Sequence, residues 1–139
     1  WLYADANYTI SKAINKGEPA SAADNSIGKQ LQYIPEYSNA ATGKVGWRSW
    51  AFSYKYSYYS ERFTSSGNET TRTGRIGSYY MNDISIEKGL RFGWAELNLK
   101  FAVNNLFDED YESVLSRPMA GRNFGFFLEI TPIFRRKGK

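Results

Sequence analysis

Cysteine and histidine are both absent from this chain. Without cysteine there is no disulfide and no thiolate metal site. Without histidine the commonest general base and metal ligand is gone, so neither a serine–histidine nor a zinc–histidine mechanism exists within these residues. Long hydrophobic runs are missing as well. No window approaches about 18 consecutive apolar residues, which excludes a transmembrane helix. Charge of one sign is scarce: 18 Lys and Arg against 14 Asp and Glu leave a net charge of +4. No basic run interleaved with aromatics points to nucleic acid, and the basic end Arg135–Lys139 reads as a solvated tail. An enzyme is not expected, and neither a cofactor nor a metal is.

What the chain does have is aromatic side chains and alternation. Phe, Trp and Tyr make up 17% of the 139 residues, with 11 Tyr, 9 Phe and 4 Trp. Such rings suit a membrane interface, where one end is apolar and the other wet. From Ala95 to Val103 the odd positions are Ala95, Leu97, Leu99, Phe101 and Val103, and the even ones are Glu96, Asn98, Lys100 and Ala102. From Phe124 to Phe134 the even positions are Phe124, Phe126, Leu128, Ile130, Pro132 and Phe134, and the other face carries Gly125, Phe127, Glu129, Thr131 and Ile133. A strand turns its side chains to alternate faces, so each segment has one greasy and one wetter face. Each run is about the roughly 9–11 residues a tilted strand needs to cross a bilayer. A mean hydropathy of −0.56 does not argue against this, since a barrel strand exposes only half its residues to lipid.

Four further segments read as strands: about Leu2–Lys12, Leu31–Val45, Ser49–Tyr59 and Ser78–Lys88. The cleanest is Ser49–Tyr59, with Trp50, Phe52, Tyr54, Tyr56 and Tyr58 on one face. In the second segment Pro35 argues against a central-strand position and belongs at the strand's start. In the fourth, Asn82 interrupts a face of Tyr80, Ile84 and Ile86. Polar loops run over Ala13–Gln30, Ser60–Arg75 and Asp108–Arg122, with short links at Gly46–Arg48 and about Gly89–Gly93. The links alternate long, short, long, short, long. Barrels of the bacterial outer membrane have short periplasmic turns and long extracellular loops. If the first strand runs outward, all five links fall on the right side. The fold class is therefore all-β, an antiparallel transmembrane β-barrel. Residues 1–134 supply its strands, and 135–139 form a basic periplasmic tail. The chain opens on Trp1 directly into a strand pattern, as expected of part of a longer protein or of a processed mature chain.

Two motifs carry a resemblance. AVNNLFDEDYE (Ala102–Glu112) and RPMAGRNFGFFLEITPIF (Arg117–Phe134) resemble the C-terminal barrel end of TonB-dependent outer-membrane receptors. In that family an Asn-Leu-Phe-Asp core with a following Tyr ends a strand. A loop then closes on Pro-Gly-Arg, and the last strand ends in Phe. The matching positions are Asn105, Leu106, Phe107, Asp108, Tyr111, Gly121, Arg122 and Phe134. Gln32–Ser38 is similar to a segment that opens a downward strand, and Tyr58–Phe63 to an aromatic exit into an outer loop. Ala120 stands where the family usually has Pro, and the style of Arg117–Asn123 resembles Bacteroidota receptors.

The resemblance implies about the last six strands of a barrel of about 22 strands. It implies active import of a scarce nutrient of the iron–siderophore or cobalamin class. The implied partners are outer-membrane lipid, the TonB complex reached through an N-terminal part outside this sequence, the plug and remaining strands of the same protein, and the small-molecule nutrient. Arg62, Phe63, Tyr111 and Arg117, all in outer loops, are the candidate substrate contacts. The motif residues read as mainly structural, because Asn and Asp side chains bond neighbouring backbone where a strand breaks into a loop. There Leu106 and Phe107 anchor the exit. Arg122 is expected to pair with Glu129, Asp108 or Glu112. Asp108-Glu109-Asp110 lacks the spaced ligands of a calcium loop, and the Asn68-Glu69-Thr70 sequon reads as incidental. The competing reading is a soluble all-β carbohydrate-binding sandwich, which would hide Trp50, Phe52, Tyr54, Tyr56 and Tyr58 in a core. Six strands fall short of an eight-stranded single-chain barrel.

Overall fold

The structure, a computed structural model, describes residues 1–133. The expected terminal aromatic Phe134 and the tail 135–139 lie outside the described residues. In chain order the strands are β1 (Leu2–Ile10), β2 (Tyr37–Trp47), β3 (Trp50–Tyr59), β4 (Arg62–Phe63), β5 (Arg75–Ile76), β6 (Tyr79–Arg91), β7 (Ala95–Asn104), β8 (Glu112–Val114), β9 (Arg117–Pro118) and β10 (Asn123–Pro132). The six long ones form one antiparallel sheet in the order β1-β2-β3-β6-β7-β10. The short ones make two hairpins, β4 with β5 and β8 with β9, inside stretches expected to be plain loop.

The register sorts the side chains as the alternation requires, because partners across an antiparallel ladder share a face. Phe126 pairs with Phe101 and Leu128 with Leu99. Phe101 pairs with Ile86, Ile86 with Phe52, Phe52 with Val45 and Val45 with Leu2. One apolar row thus crosses all six strands. One residue along, Lys100 pairs with Glu87, Ser85 with Ser53, Lys44 with Ser53 and Asp5 with Thr42, which makes the other face polar. Its charges bond across strands: Lys100 Nζ lies 3.2 Å from Glu87 Oε1, and Arg91 Nε 3.2 Å from Glu96 Oε1.

The sheet is a single layer. Its buried apolar residues are few (Ile76, Ala95, Ala102 and Val103), whereas Phe126 is 70% and Phe124 67% exposed. This overturns the sandwich reading: among the described residues no second sheet covers the Trp50–Tyr58 stripe, and Trp50 and Phe52 are open on that face. Among the described residues β1 and β10 are each paired along one edge only, so the sheet is an open arc. No helix of the described residues is long and apolar enough to cross a membrane, and a barrel crosses with strands.

Two boundaries differ from expectation. The second strand begins at Tyr37 rather than Leu31, so Pro35 lies in the preceding loop, as its missing donor favours. Its far end runs on to Trp47, because Trp47 pairs with Trp50 and the turn shrinks to residues 48–49. Pro132 is the last residue of β10, where one missing N–H weakens the ladder least, and Ile133 restores it by donating to Trp94 O at 2.8 Å.

Candidate functional site

All three long connections, residues 11–36, 60–78 and 105–122, leave the same end of the sheet. They are tied into one layer. Gln30 and Asn68 exchange two bonds: Gln30 N donates to Asn68 Oδ1 at 2.7 Å, and Asn68 Nδ2 donates to Gln30 O at 2.8 Å. The side-chain amide stands in for a strand partner, which is the work the sequon asparagine does here. Tyr33 N donates to Phe63 O at 2.8 Å. Arg62 then crosses from the second loop to the third, its Nη2 donating to Glu112 O at 2.9 Å.

At this end of the polar face three tyrosines meet. Tyr59 and Tyr79 are ladder partners, and their position in the alternation puts them on the face of Ser53, Lys55 and Asp83. Their ring centroids are 5.2 Å apart, and Tyr111 from the third loop lies 4.6 Å from Tyr79. Both pairs fall within the separation at which tilted aromatic rings attract. The guanidinium of Arg62 sits 5.1 Å from the Tyr79 ring centroid. Arg62 is 6% exposed, and its Nε has no hydrogen-bond partner. Beside the cluster is a depression of about 500 Å³, lined by Arg72, Arg75, Tyr79, Tyr111 and Met119 among others. That size lies within the roughly 300–1,000 Å³ of small-molecule sites. Arg75 is held there by both carboxylate oxygens of Glu61, each at 3.1 Å.

Of the four expected substrate contacts, the structure brings Arg62 and Tyr111 together, both against the Tyr79 ring. Phe63 is half-buried and lines a separate depression of about 610 Å³ with Ile14, Gln30 and Tyr37. Arg117 is exposed in β9 and does not itself line either depression, although its neighbours Ser116 and Pro118 line the one beside the tyrosines. Tyr59 and Tyr79 were missed as site residues. The signal for Tyr59 was its parity with Ser53, Lys55 and Ser57, which sets it on the polar face although its neighbour Tyr58 is on the apolar one.

The motif residues close the third loop. Asn105 is 1% exposed, donates from Nδ2 to Glu109 O at 2.9 Å and accepts from Glu109 N at 2.8 Å. Its own N–H donates to Asp83 Oδ1 at 3.0 Å. Leu106 N donates to Asn82 O at 2.7 Å. Asp108 Oδ1 accepts from Arg122 N at 2.6 Å, and its Oδ2 lies 3.8 Å from Arg122 Nη2. Asp108 is therefore the partner of Arg122 among the three expected. A Cβ at Gly121 would stand 2.8 Å from Asp108 Oδ1, so any other residue there displaces that carboxylate. Phe107, expected to anchor the strand exit with Leu106, is 63% exposed.

The geometry defines a class: an antiparallel arc of barrel wall with one apolar face, one polar face and a loop layer over one end. No protein-family model matches the chain, and no curated protein does. Solved structures do. The ferric citrate transporter FecA in its unliganded form matches with a TM-score of 0.80 at 17% identity, covering 95% of this chain and 21% of its own. The ferric-catecholate import receptor Fiu of E. coli K12 in a closed form matches at 0.71 and 18% identity, covering 95% of this chain and 19% of its own. The ferric yersiniabactin uptake receptor FyuA of Yersinia pestis matches at 0.69 and 17% identity, covering 96% and 21%. The chain has the all-β, antiparallel fold of TonB-dependent receptor barrels, and spans about a fifth of the length of these neighbours.

Proposed function

We propose that this chain is the C-terminal section of barrel wall in a TonB-dependent outer-membrane receptor that imports an iron chelate. The apolar face meets lipid, the polar face borders the lumen and its plug, and the loop layer looks out of the cell. Energy comes from the TonB complex through an N-terminal part of the same protein. The chain supplies wall and part of the mouth, with no chemistry of its own. The observation that carries this reading is the TM-score of 0.80 over 95% of the chain against a ferric citrate transporter. Support for iron chelates over cobalamin comes from the names of the three neighbours, each of which takes up or imports a ferric compound.

The polar-face cluster of Tyr59, Tyr79 and Tyr111 is the capture surface. Its rings offer flat contact area at the rim, and the Arg62 guanidinium packs against the Tyr79 ring. The test is uptake of labelled ferric citrate, ferric catecholate and cobalamin by cells carrying the full-length receptor, with and without TonB. Tyr79→Ala and Tyr111→Ala each weaken half-saturation by about tenfold, the value of about 1.4 kcal/mol for a lost aromatic contact. Unchanged half-saturation in both variants removes the cluster from the site. Uptake independent of TonB, or of cobalamin alone, overturns the transport reading or its substrate class.

A further inference from the structure

At the opposite end of the sheet, the apolar face carries two cations where hydrocarbon-facing residues are expected. Lys88 is the ladder partner of Trp50, and Trp50 is the partner of Trp47 across the two-residue turn. All three share the face of Phe52 and Ile86. Lys88 Nζ lies 4.4 Å from the Trp50 ring centroid, and the Arg48 guanidinium lies 4.7 Å from that of Trp47. The result is a row of cation, indole, indole, cation along one rim.

We propose that this row is a binding site for the phosphodiester headgroup of a glycerophospholipid in the inner leaflet. The proposal rests on the reading of the apolar face as lipid-facing. A lysine on that face is unfavourable unless its charge reaches the interface or finds a counter-ion. Lys88 stands at the level of the turn, where headgroup phosphates lie, and tryptophans favour the same depth. On the polar face at this end Arg91 pairs with Glu96 and Lys100 with Glu87. Among the described residues neither Arg48 nor Lys88 has a carboxylate within ion-pairing distance. Lys88 spends one donor on Ser49 Oγ at 2.7 Å, which leaves two of the ammonium's three for an acceptor from outside. Arg48 holds a left-handed turn position, φ 53°, that glycine fills most readily. The charge complement of this row is phosphate: Lys88 and Arg48, at its two ends, each present a cation beside a ring face to a headgroup whose acyl chains lie along Phe52, Ile86 and Phe101.

The test uses the full-length receptor in mild detergent, titrated with phosphatidylglycerol and observed by native mass spectrometry. Wild type retains the lipid. Lys88→Gln lowers the bound fraction about fivefold and Arg48→Gln/Lys88→Gln about twenty-fold, at roughly fivefold per cation near a headgroup. Lys88→Arg keeps most of it. Heat-modifiable migration on gels identifies folded barrel in every variant. The control Lys44→Gln, on the polar face, changes nothing. Equal retention by folded wild type and double variant overturns the site, as does displacement of the phospholipid by lipopolysaccharide alone. Ferric chelate uptake by the Lys88→Gln receptor stays at wild-type affinity. Loss of uptake in the wild type would instead strike at the proposed function and leave lipid retention standing.

Discussion

Asn105 and Glu109 are joined by two hydrogen bonds of opposite sense, both made by one side chain. The Asn105 amide donates to Glu109 O at 2.9 Å and accepts from Glu109 N at 2.8 Å. It does so from a left-handed backbone conformation, φ 52°, and in near-complete burial. Asparagine tolerates that conformation better than other non-glycine residues. Asn105→Ala removes both bonds and keeps the unfavourable φ, for a loss of about 2–3 kcal/mol. Asn105→Gly loses the same bonds but relieves the backbone, so it is less damaging. Urea unfolding of the full receptor in detergent checks the order: wild type, then Gly, then Ala. A reversed order for the two variants would mean the backbone strain is borne elsewhere.

The second closure of this loop depends on a missing side chain. Asp108 Oδ1 occupies the space a Cβ would take at Gly121 while it accepts the Arg122 amide at 2.6 Å. Gly121→Ala therefore pushes the carboxylate off that amide, at a cost of about 1–2 kcal/mol. Asp108→Asn keeps an acceptor in place and costs less than Asp108→Ala. Hydrogen exchange at the Arg122 amide reads each case directly: protection falls in Gly121→Ala and Asp108→Ala and is largely kept in Asp108→Asn.

The long strands were legible because their signal is local. Period-two alternation in Ser49–Tyr59 and Ala95–Val103 is written in the side chains themselves, and the structure ends β3 and β7 within a residue of it. The short hairpins β4–β5 and β8–β9 were illegible for the opposite reason. Two or three residues carry no period, and what holds them is cross-loop bonding such as Arg62 to Glu112 O. The candidate site was half legible. Arg62 and Tyr111 stood out by residue type, but Tyr79 joins them only because β3 and β6 pair in a register that sets Tyr59 against Tyr79. No single-strand pattern encodes that register. Asn82, an interruption of the apolar face in sequence, is buried and bonded by the Tyr54 hydroxyl.

The first loop has a pH-sensitive turn. Asp24 accepts from Ala20 N and Ser26 N, each at 2.9 Å. These bonds, the Ala20 one foremost, hold its carboxyl below the ordinary 3.8. The folded turn thus binds a proton less readily than the unfolded chain, and its stabilisation is complete above 3.8. It is lost as pH falls through the lower folded value. Exchange protection at Ala20 and Ser26, corrected for intrinsic rates, should be flat at neutral pH and collapse in strong acid. Asp24→Asn should show no such transition, because its amide does not titrate in that range.

Tyr54 and Asn82 test what the apolar face faces. Both lie on that face, and the Tyr54 hydroxyl donates to Asn82 Oδ1. Tyr54→Phe leaves the amide of a buried Asn82 without that donor, and in a lipid setting the loss is about 1–2 kcal/mol. Asn82→Leu strands the hydroxyl instead, which is cheaper because a tyrosine tip can tilt toward the interface. The double variant Tyr54→Phe/Asn82→Leu removes both polar groups, and hydrocarbon accepts the result with little or no net loss. The coupling energy from unfolding of the four receptors in lipid bilayers should therefore be about 1 kcal/mol and favourable. If water wets this face, each polar group finds a partner in the solvent after mutation. The coupling then falls to zero.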